Sequence, residues 1–242
     1  MKETAIEVKD LCIRYRGLKS YSIKKSLLHW KRNPIDEFEA IKHVSFQVSE
    51  GNILGIIGKN GSGKSTLLNA IGGILAPDWG QIDLKGHSVS LLSIGVGFQK
   101  ELSGRENILL SGMLLGFTEQ EVQEKTEEII AFSEIGEFID VPVRTYSSGM
   151  YSKLAFSITA ILETDIMLVD EVLSVGDSRF KKKSYNKMKE LISNEKRTVI
   201  LVSHAMETLG DLCDEILWLH EGQVRMYGKA KEVLTAYEEF MK

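Results

Sequence analysis

The sequence predicts an α/β protein with a mainly parallel central sheet that is covered on both faces. Strand-like and helix-like segments alternate along the 242 residues. The strand-like segments "DIMLVDE" and "TVILVSH" each contain an unbroken run of four apolar residues. Such runs are typical of strands that are buried on both sides. Residues 100–163 show little strand signal, so we expect an inserted helical subdomain there.

The remaining strands follow from alternation and from turn residues. "AIEVKDLCIRY" alternates as a strand does, and "HVSFQVSEGNILGIIG" predicts two strands around a Glu-Gly turn. "GQIDLKG" predicts a short strand that ends at Lys85-Gly86. "DEILWLHEGQVRMYG" predicts a hairpin across Glu221-Gly222.

Three segments carry helical signals. "STLLNAIGGIL" has apolar residues at helical spacing, and a proline follows it closely. "TEQEVQEKTEEII" begins with Thr118 and Glu121 at the spacing of a capping box. "FKKKSYNKMKELIS" places Met188, Leu191 and Ile192 on one helical face.

Bulk composition excludes several classes of function. The formal net charge is −4, so nothing general attracts the chain to nucleic acid, and we expect no nucleic-acid partner. The sequence contains no run of 18 apolar residues, so it predicts no membrane span. The N-terminal "MKETAIEVKD" lacks the apolar core of a signal peptide. Cys12 and Cys213 lie far apart and form no metal or redox motif.

The strongest motif is "GKNGSGKST", residues 58–66, which matches G-x-x-x-x-G-K-[ST] at Gly58, Gly63, Lys64 and Ser65. A predicted strand leads in and a predicted helix leads out, which disfavours a plain glycine-rich turn. Glycines let several N–H groups converge on one anion, and the helix N-terminus adds partial positive charge. Lys64 supplies a full charge to the β- and γ-phosphates, and Ser65 offers an oxygen to Mg²⁺. The predicted nucleotide contacts are Gly58, Lys59, Asn60, Gly61, Ser62, Gly63, Lys64, Ser65 and Thr66.

Two carboxylates end the buried strand "IMLVDE". Asp170 is placed to hold Mg²⁺, directly or through water, and Glu171 to orient or deprotonate a water that attacks the γ-phosphate. The alternative is a solvated pair, or a pair that caps the next helix. The phosphate loop favours the catalytic interpretation. Because no N-K-x-D guanine-reading motif is present, a GTPase is disfavoured.

The stretch "YSSGM", residues 146–150, has two interpretations. Serine and glycine are common in turns, and serine caps helices. A serine hydroxyl beside N–H groups at a helix N-terminus is also suited to read a phosphate.

With the phosphate loop, these motifs make the sequence resemble the ATP-binding cassette family, the nucleotide-binding subunits of ABC transporters, over nearly the whole chain. The resemblance implies a P-loop NTPase fold of the ABC ATPase type in one domain, residues 1–242. In that fold a mainly parallel core sheet carries an antiparallel β subdomain and an inserted α-helical subdomain. It implies ATP and Mg²⁺ as cofactors, with ATP hydrolysis as the reaction.

Three short strings receive roles through this resemblance. "GFQ" carries Gln99 at the position of the Q-loop glutamine, a Mg²⁺ ligand and a contact to the membrane partner. "SVGD" ends in Asp177 at the position of the D-loop, and "LVSHAME" supplies His204 as the switch histidine.

The resemblance also gives "YSSGM" the place of the L-S-G-G-Q signature. Ser147, Ser148 and Gly149 would then cap the γ-phosphate of an ATP that is held by a second copy of the chain. Ser148 replaces a glycine, so we expect a φ angle below zero there. An aromatic ring upstream of the phosphate loop would stack on adenine. Tyr15 fits by its place after the first strand, and Phe38 is the competitor.

Further strings, "KLAFS", "GVGFQKELSGRENI" and "DEVLSVGD", resemble the branch that exports bacterial surface polysaccharides such as capsule, O-antigen and wall teichoic acid. That branch implies an integral membrane permease, an ATP-dependent dimer and a peripheral location at the cytoplasmic face of the bacterial inner membrane. The alternatives are an ATPase of another transporter class and a soluble clamp that acts on DNA or ribosomes. A single phosphate loop, no sustained heptads and a negative net charge disfavour the clamp.

Residues 17–34, "GLKSYSIKKSLLHWKRNP", extend the link between the first two strands, and we expect an insertion at about 17–38. Seven basic and no acidic residues occur between Leu11 and Asn33. One interpretation is a solvated surface helix. A second is an amphipathic element that contacts anionic lipid headgroups beside the permease. A third is contact with the pyrophosphate of a lipid-linked polymer.

Overall fold

The computed structural model describes residues 2–17, 36–91, 97–170, 177–192, 197–203 and 205–241. Most of the predicted insertion and two predicted site residues, Glu171 and His204, lie outside the described residues.

The described strands and helices follow the predicted alternation. The strands are Thr4–Gly17 (β1), Asp36–Ser49 (β2), Ile53–Ile57 (β3), Trp79–Asp83 (β4), Val89–Leu91 (β5), Ile166–Val169 (β6), Thr198–Val202 (β7), Glu215–His220 (β8) and Gln223–Lys229 (β9). The helices are Lys64–Ile71 (α1), Gly104–Leu114 (α2), Glu119–Ser133 (α3), Ser148–Ile161 (α4), Ser178–Ile192 (α5), Met206–Leu212 (α6) and Ala230–Met241 (α7). None of these helices is both long enough and apolar enough to cross a membrane.

The strands form two sheets. The larger has the order β5-β6-β7-β3-β8-β9 and is parallel except for β9, which pairs with β8 as a hairpin. The smaller has the order β2-β1-β4 and is antiparallel throughout. The predicted fold class is therefore confirmed, with its parallel core and its antiparallel β subdomain.

Successive residues of the central strands face two different cores. In β7, Ile200 and Val202 pack into the core that holds α1 and the small sheet. Val199 and Leu201 pack into the core on the other face, which holds α5, α6 and α7. A strand with an apolar core on each side has no place for alternating polar residues, and this explains the unbroken runs in the sequence.

Residues 100–163 contain the helices α2, α3 and α4, and the bounds of a helical subdomain there stay a prediction. These helices enclose a third core around Ile108, Ile129 and Leu154. Capping boxes open both α2 and α3, and the second, from Thr118 to Glu121, is the one that the sequence predicted.

The strands β1 and β2 are longer than the segments in which apolar residues alternate. Pairing continues to Tyr15 opposite Phe38 and to Arg16 opposite Glu37, so both ends of the predicted 17–38 insertion belong to strands. In this outer part of the hairpin, cross-strand ion pairs replace apolar contacts, with Arg16 3.2 Å from Glu37. Apolar alternation does not detect pairing of this kind.

Candidate nucleotide-binding site

Three parallel neighbours, β6, β7 and β3, bring their carboxyl ends to one edge of the large sheet. The phosphate loop, residues 58–66, follows β3, and Asp170 follows β6. The crevice outside the carboxyl ends of parallel strands is the place where α/β proteins bind ligands. The fold therefore brings together two motifs that are about a hundred residues apart in sequence.

A cleft of about 460 Å³ lies at this edge. Its lining combines the phosphate loop, the strand-end carboxylate and two aromatic rings: Tyr15, Phe38, Ala40, Asn60, Gly61, Gly63, Lys64, Ser65, Thr66, Asp170 and Val202.

The glycines of the loop permit its curl. Gly63 is the N-cap of α1 and has a φ of 104°, and a Cβ there would lie 2.6 Å from the carbonyl oxygen of Ala40. A Cβ at Gly58 would clash with the carbonyl oxygen of Leu219. Because glycine has no side chain, no side-chain hydrogen bond caps α1. The N–H groups of its first turn are thus presented to the cleft without a capping side chain.

Lys64 supplies the charge at the centre of the loop. Its side chain is almost fully buried, and its Nζ donates to the carbonyl oxygens of Gly58 at 2.8 Å and of Lys59 at 3.1 Å. These bonds close the loop around the ammonium group.

The lining groups fit a nucleotide. A helix N-terminus and the Lys64 ammonium suit phosphates, and exposed aromatic rings suit a base. Ser65 and Asp170 line the same cleft, and their side chains carry oxygen, the ligand atom that Mg²⁺ prefers.

Three predicted contacts support the loop from behind and do not line the cleft. Gly58 packs under Leu219, and the buried Ser62 accepts a hydrogen bond at its carbonyl from the N–H of Gly222 at 3.1 Å. The side chain of Lys59 extends toward α7.

The two candidates for adenine stacking lie side by side. Tyr15 and Phe38 face each other on β1 and β2, and 44% and 60% of their respective surfaces are exposed. The Tyr15 hydroxyl lies 3.3 Å from the Thr66 hydroxyl. Since both rings line the cleft, the choice between them stays a prediction.

The signature stretch forms a capped helix start. The Ser147 hydroxyl accepts a hydrogen bond from the N–H of Met150 at 3.2 Å, so the capping interpretation is confirmed. Ser148 begins α4 and is not among the residues with positive φ, as predicted. Ser147 and Ser148 are exposed, and neither they nor Gly149 line the cleft of the same chain.

Gln99 is held through its backbone by a residue that the sequence analysis missed. The amide side chain of Asn107 accepts from the Gln99 N–H at 2.7 Å and donates to the Gln99 carbonyl at 3.0 Å. Asn107 is fully buried on α2, and a polar residue within the string "ENILL" was its only signal. Gln99 itself is exposed and does not line the cleft.

Asp177 joins two helices. One carboxylate oxygen accepts from the N–H groups of Arg179 and Phe180 at the start of α5. The other accepts from Lys153 of α4 at 2.7 Å. The Lys153 ammonium, with the N–H of Phe180, lowers the pKa of Asp177 to about 2. This contact ties the helical subdomain to the core, and sequence reasoning did not identify Lys153.

The chain is similar to known ATP-binding proteins. A family model described as ABC transporter matches residues 41–174. The chain is 46% identical over 223 residues to the O-antigen export system ATP-binding protein RfbB of Myxococcus xanthus, covering 90% of this chain and 51% of that protein. It is 42% identical over 207 residues to the protein of the same name from Klebsiella pneumoniae, covering 85% and 83%.

It is also 46% identical over 217 residues to the teichoic acids export ATP-binding protein TagH of Lactococcus lactis, covering 90% and 46%. The chain thus spans about half the length of the first curated relatives that it matches. Among solved structures, an ATP binding subunit of an ABC transporter superposes with a TM-score of 0.72 at 22% identity, covering 97% and 94%. A dimeric ATP-binding cassette bound to ADP and Pi superposes with a TM-score of 0.69 at 20% identity, covering 93% and 98%. At these identities the superpositions show the fold.

The Lys153–Asp177 contact predicts an acid-dependent contribution to stability. Asp177→Asn keeps the shape of the cap but removes its charge. The folded-state pKa of about 2 lies below the unfolded value of about 3.9, so the charge stabilises at neutral pH and its contribution fades as pH falls from about 4 to about 2. We expect the wild type to have a higher urea midpoint than Asp177→Asn at pH 7, and this difference should shrink at pH 4 and again at pH 3. In a Lys153→Met background the difference should be smaller and depend less on pH, because only the N–H groups of Arg179 and Phe180 then stabilise the carboxylate. An advantage that stays constant to pH 3 in both backgrounds would contradict the assignment.

Proposed function

The chain belongs to the ABC transporter family, and on that premise we propose that it is the ATP-hydrolysing motor subunit of an exporter of lipid-linked bacterial surface polysaccharide. The observation that carries the ATPase part is the cleft in which the phosphate loop, Asp170 and the Tyr15–Phe38 pair converge. The cargo class, O-antigen, capsule or teichoic acid, is supported by relatives that are named for O-antigen export and for teichoic acid export.

Within the cleft, ATP would lie with its phosphates against the N-terminus of α1 and the Lys64 ammonium, and its base against Tyr15 or Phe38. Mg²⁺, when bound, would offset phosphate charge, with Ser65, Asp170 and Gln99 as proposed ligands. Ser65 and Asp170 line the cleft. Gln99 does not, so its part in this set rests on the family resemblance.

The proposed hydrolytic residues are Glu171 and His204. Glu171 directly follows Asp170 in sequence, which would put its carboxylate near a water in line with the γ-phosphate. His204 comes two residues after the end of β7 in the sequence, and we propose that it contacts the γ-phosphate.

We propose that the complete site needs a second copy of the chain. The N-terminus of α4 is exposed and lies outside the cleft of its own chain. While the Ser147 hydroxyl accepts from Met150, its own proton is still available to donate to an anion. A two-fold dimer would place Ser147, Ser148 and Gly149 of each chain over the ATP of the other, with Asp177 nearby.

The other proposed partner is an integral membrane permease, and the proposed location is the cytoplasmic face of the bacterial inner membrane. The basic segment 17–34 is a candidate for this side of the assembly. It joins β1 to β2, the two strands that carry Tyr15 and Phe38 to the cleft. Contact of this segment with the permease or with anionic headgroups would therefore lie close to the nucleotide.

The assignment of the chemistry predicts different defects in two variants. Lys64→Ala removes the charge that the loop encloses and should weaken ATP binding itself. Glu171→Gln keeps size and hydrogen bonding but removes the base, so it should bind ATP normally while turnover falls by about 10²–10⁴-fold. ATPase rates and equilibrium ATP affinities of both variants separate the two effects. Wild-type turnover in Glu171→Gln would show that Glu171 is not the base.

The proposed dimer predicts that ATP, and not ADP, changes the molecular mass of the protein in solution. ATP should drive Glu171→Gln to a dimer, because each set of phosphates is then capped by a partner and remains unhydrolysed. ADP should not, since it lacks the γ-phosphate. The double variant Lys64→Ala, Glu171→Gln is the matched control and should stay monomeric with ATP. Light scattering at high protein concentration provides the measurement, and a monomer in all conditions would argue against the shared site.

The basic segment predicts a coupling defect without a binding defect. Changing Lys24, Lys25, Lys31 and Arg32 to Glu should leave ATP affinity unchanged. It should weaken binding to anionic liposomes, because each basic residue contributes about 1 kcal/mol there, or reduce coupling to the permease. The control changes four exposed lysines elsewhere, Lys181, Lys182, Lys229 and Lys231, to Glu. If liposome binding and coupling both survive the first set at physiological salt, the segment is a solvated helix.

A further inference from the structure

The phosphate loop rests on the C-terminal part of the chain. The N–H of Gly222, in the β8–β9 turn, donates to the Ser62 carbonyl at 3.1 Å. Ile57, the last residue of β3, pairs with Trp218 of β8, and the next residue, Gly58, packs against Leu219. The rear of the loop is thus supported by the β8–β9 hairpin.

Lys59 connects this support to the ammonium group in the cleft. Its carbonyl oxygen accepts from Lys64 Nζ at 3.1 Å and from the Ser62 N–H at 3.1 Å. Its side chain is directed away from the cleft, and its Nζ lies 5.1 Å from the centroid of the Phe240 ring on α7. Lys59 therefore contacts Phe240 with its side chain and Lys64 with its carbonyl group.

Phe240 is itself held firmly. Its ring centroid lies 5.2 Å from that of Trp218 and 5.3 Å from that of His220, the latter in an edge-to-face arrangement. The guanidinium of Arg225 lies 4.0 Å from the Phe240 centroid and 4.6 Å from the Trp218 ring. Three residues of the β8–β9 hairpin therefore fix the position of the ring that Lys59 contacts.

We propose that Phe240 is a positioning residue for nucleotide binding. The negative face of its ring attracts the Lys59 ammonium, and this contact keeps the Lys59 carbonyl in place to orient Lys64. A glycine-rich loop has many accessible backbone conformations, so an external anchor lowers the entropy that nucleotide binding must remove. The inference rests on the proposed ATP binding and adds the C-terminal helix to the groups that determine its affinity.

The test compares substitutions at two positions on the same face of α7, Phe240 and Tyr237. Phe240→Leu keeps apolar volume but removes the ring face, and it should weaken binding of the Mg²⁺ complex of AMP-PNP about three- to fivefold. Phe240→Trp supplies a better ring face and should retain the wild-type affinity. Tyr237→Leu is the matched control, because Tyr237 packs edge-to-face on Trp218 at 5.1 Å but has no contact with the loop among the described residues. It should lower the melting temperature without changing the affinity.

A double-mutant cycle with Lys59→Met separates positioning from general packing. Lys59 is exposed, so this variant is expected to fold. In the Lys59→Met background, Phe240→Leu should cause no further loss of affinity. The inference is overturned by an equal loss in both backgrounds, by an equal loss in Tyr237→Leu, or by normal affinity in Phe240→Leu. Failure of the wild-type chain to bind nucleotide would instead refute the proposed function.

Discussion

The buried ammonium of Lys64 is the group on which the rest of the site depends. A charge removed from water must be surrounded by oxygens, and the loop supplies two of them from its own backbone, at Gly58 and Lys59. The loop that turns those carbonyls inward has positive φ angles at Gly58, Gly61 and Gly63. The same curl starts α1 on a glycine, whose missing side chain leaves the helix N-terminus open to an anion. The buried charge, the glycine pattern and the open helix N-terminus thus occur together in one loop, and together they suit a phosphate.

Such a loop needs support from outside, because glycine makes it flexible. The Gly222 residue of the β8–β9 turn donates to Ser62 and accepts from the N–H of Lys42 on β2. A single turn therefore joins the loop, the large sheet and the small sheet. The Ala40 carbonyl, also on β2, lies close to Gly63 on the other side of the loop. The small sheet is held at a fixed place beside the phosphate loop, and this puts the aromatic pair at the mouth of the cleft.

Features set by residues close in sequence could be predicted, and features set by distant contacts could not. The central strands were visible because burial on both faces gives them unbroken apolar runs, and the Thr118 capping box was visible because its two partners are three residues apart. Asn107, Lys153 and Phe240 gave little signal, since each acts on a partner in another element. The outer part of the β1–β2 hairpin was missed because charge pairs hold it. Tyr15 and Phe38 could not be separated by sequence, and the structure explains why: they are cross-strand neighbours.

A single chain exposes two surfaces that each suit a ligand. Its cleft exposes a pair of aromatic rings, and its α4 begins at the surface with a hydroxyl and N–H groups that suit an anion. The phosphates of bound ATP would add negative charge at the open side of the cleft. A second chain with its own bound phosphates would be repelled there unless a positive group offset this charge. In the proposed two-fold dimer each α4 N-terminus would be that positive group for the other chain, so the two surfaces would complete each other twice in one interface. The Lys153–Asp177 bond then acquires a second consequence. It links α4 to the start of α5, so contact of one chain's signature stretch with the partner's nucleotide would reach its own core partly through this ion pair.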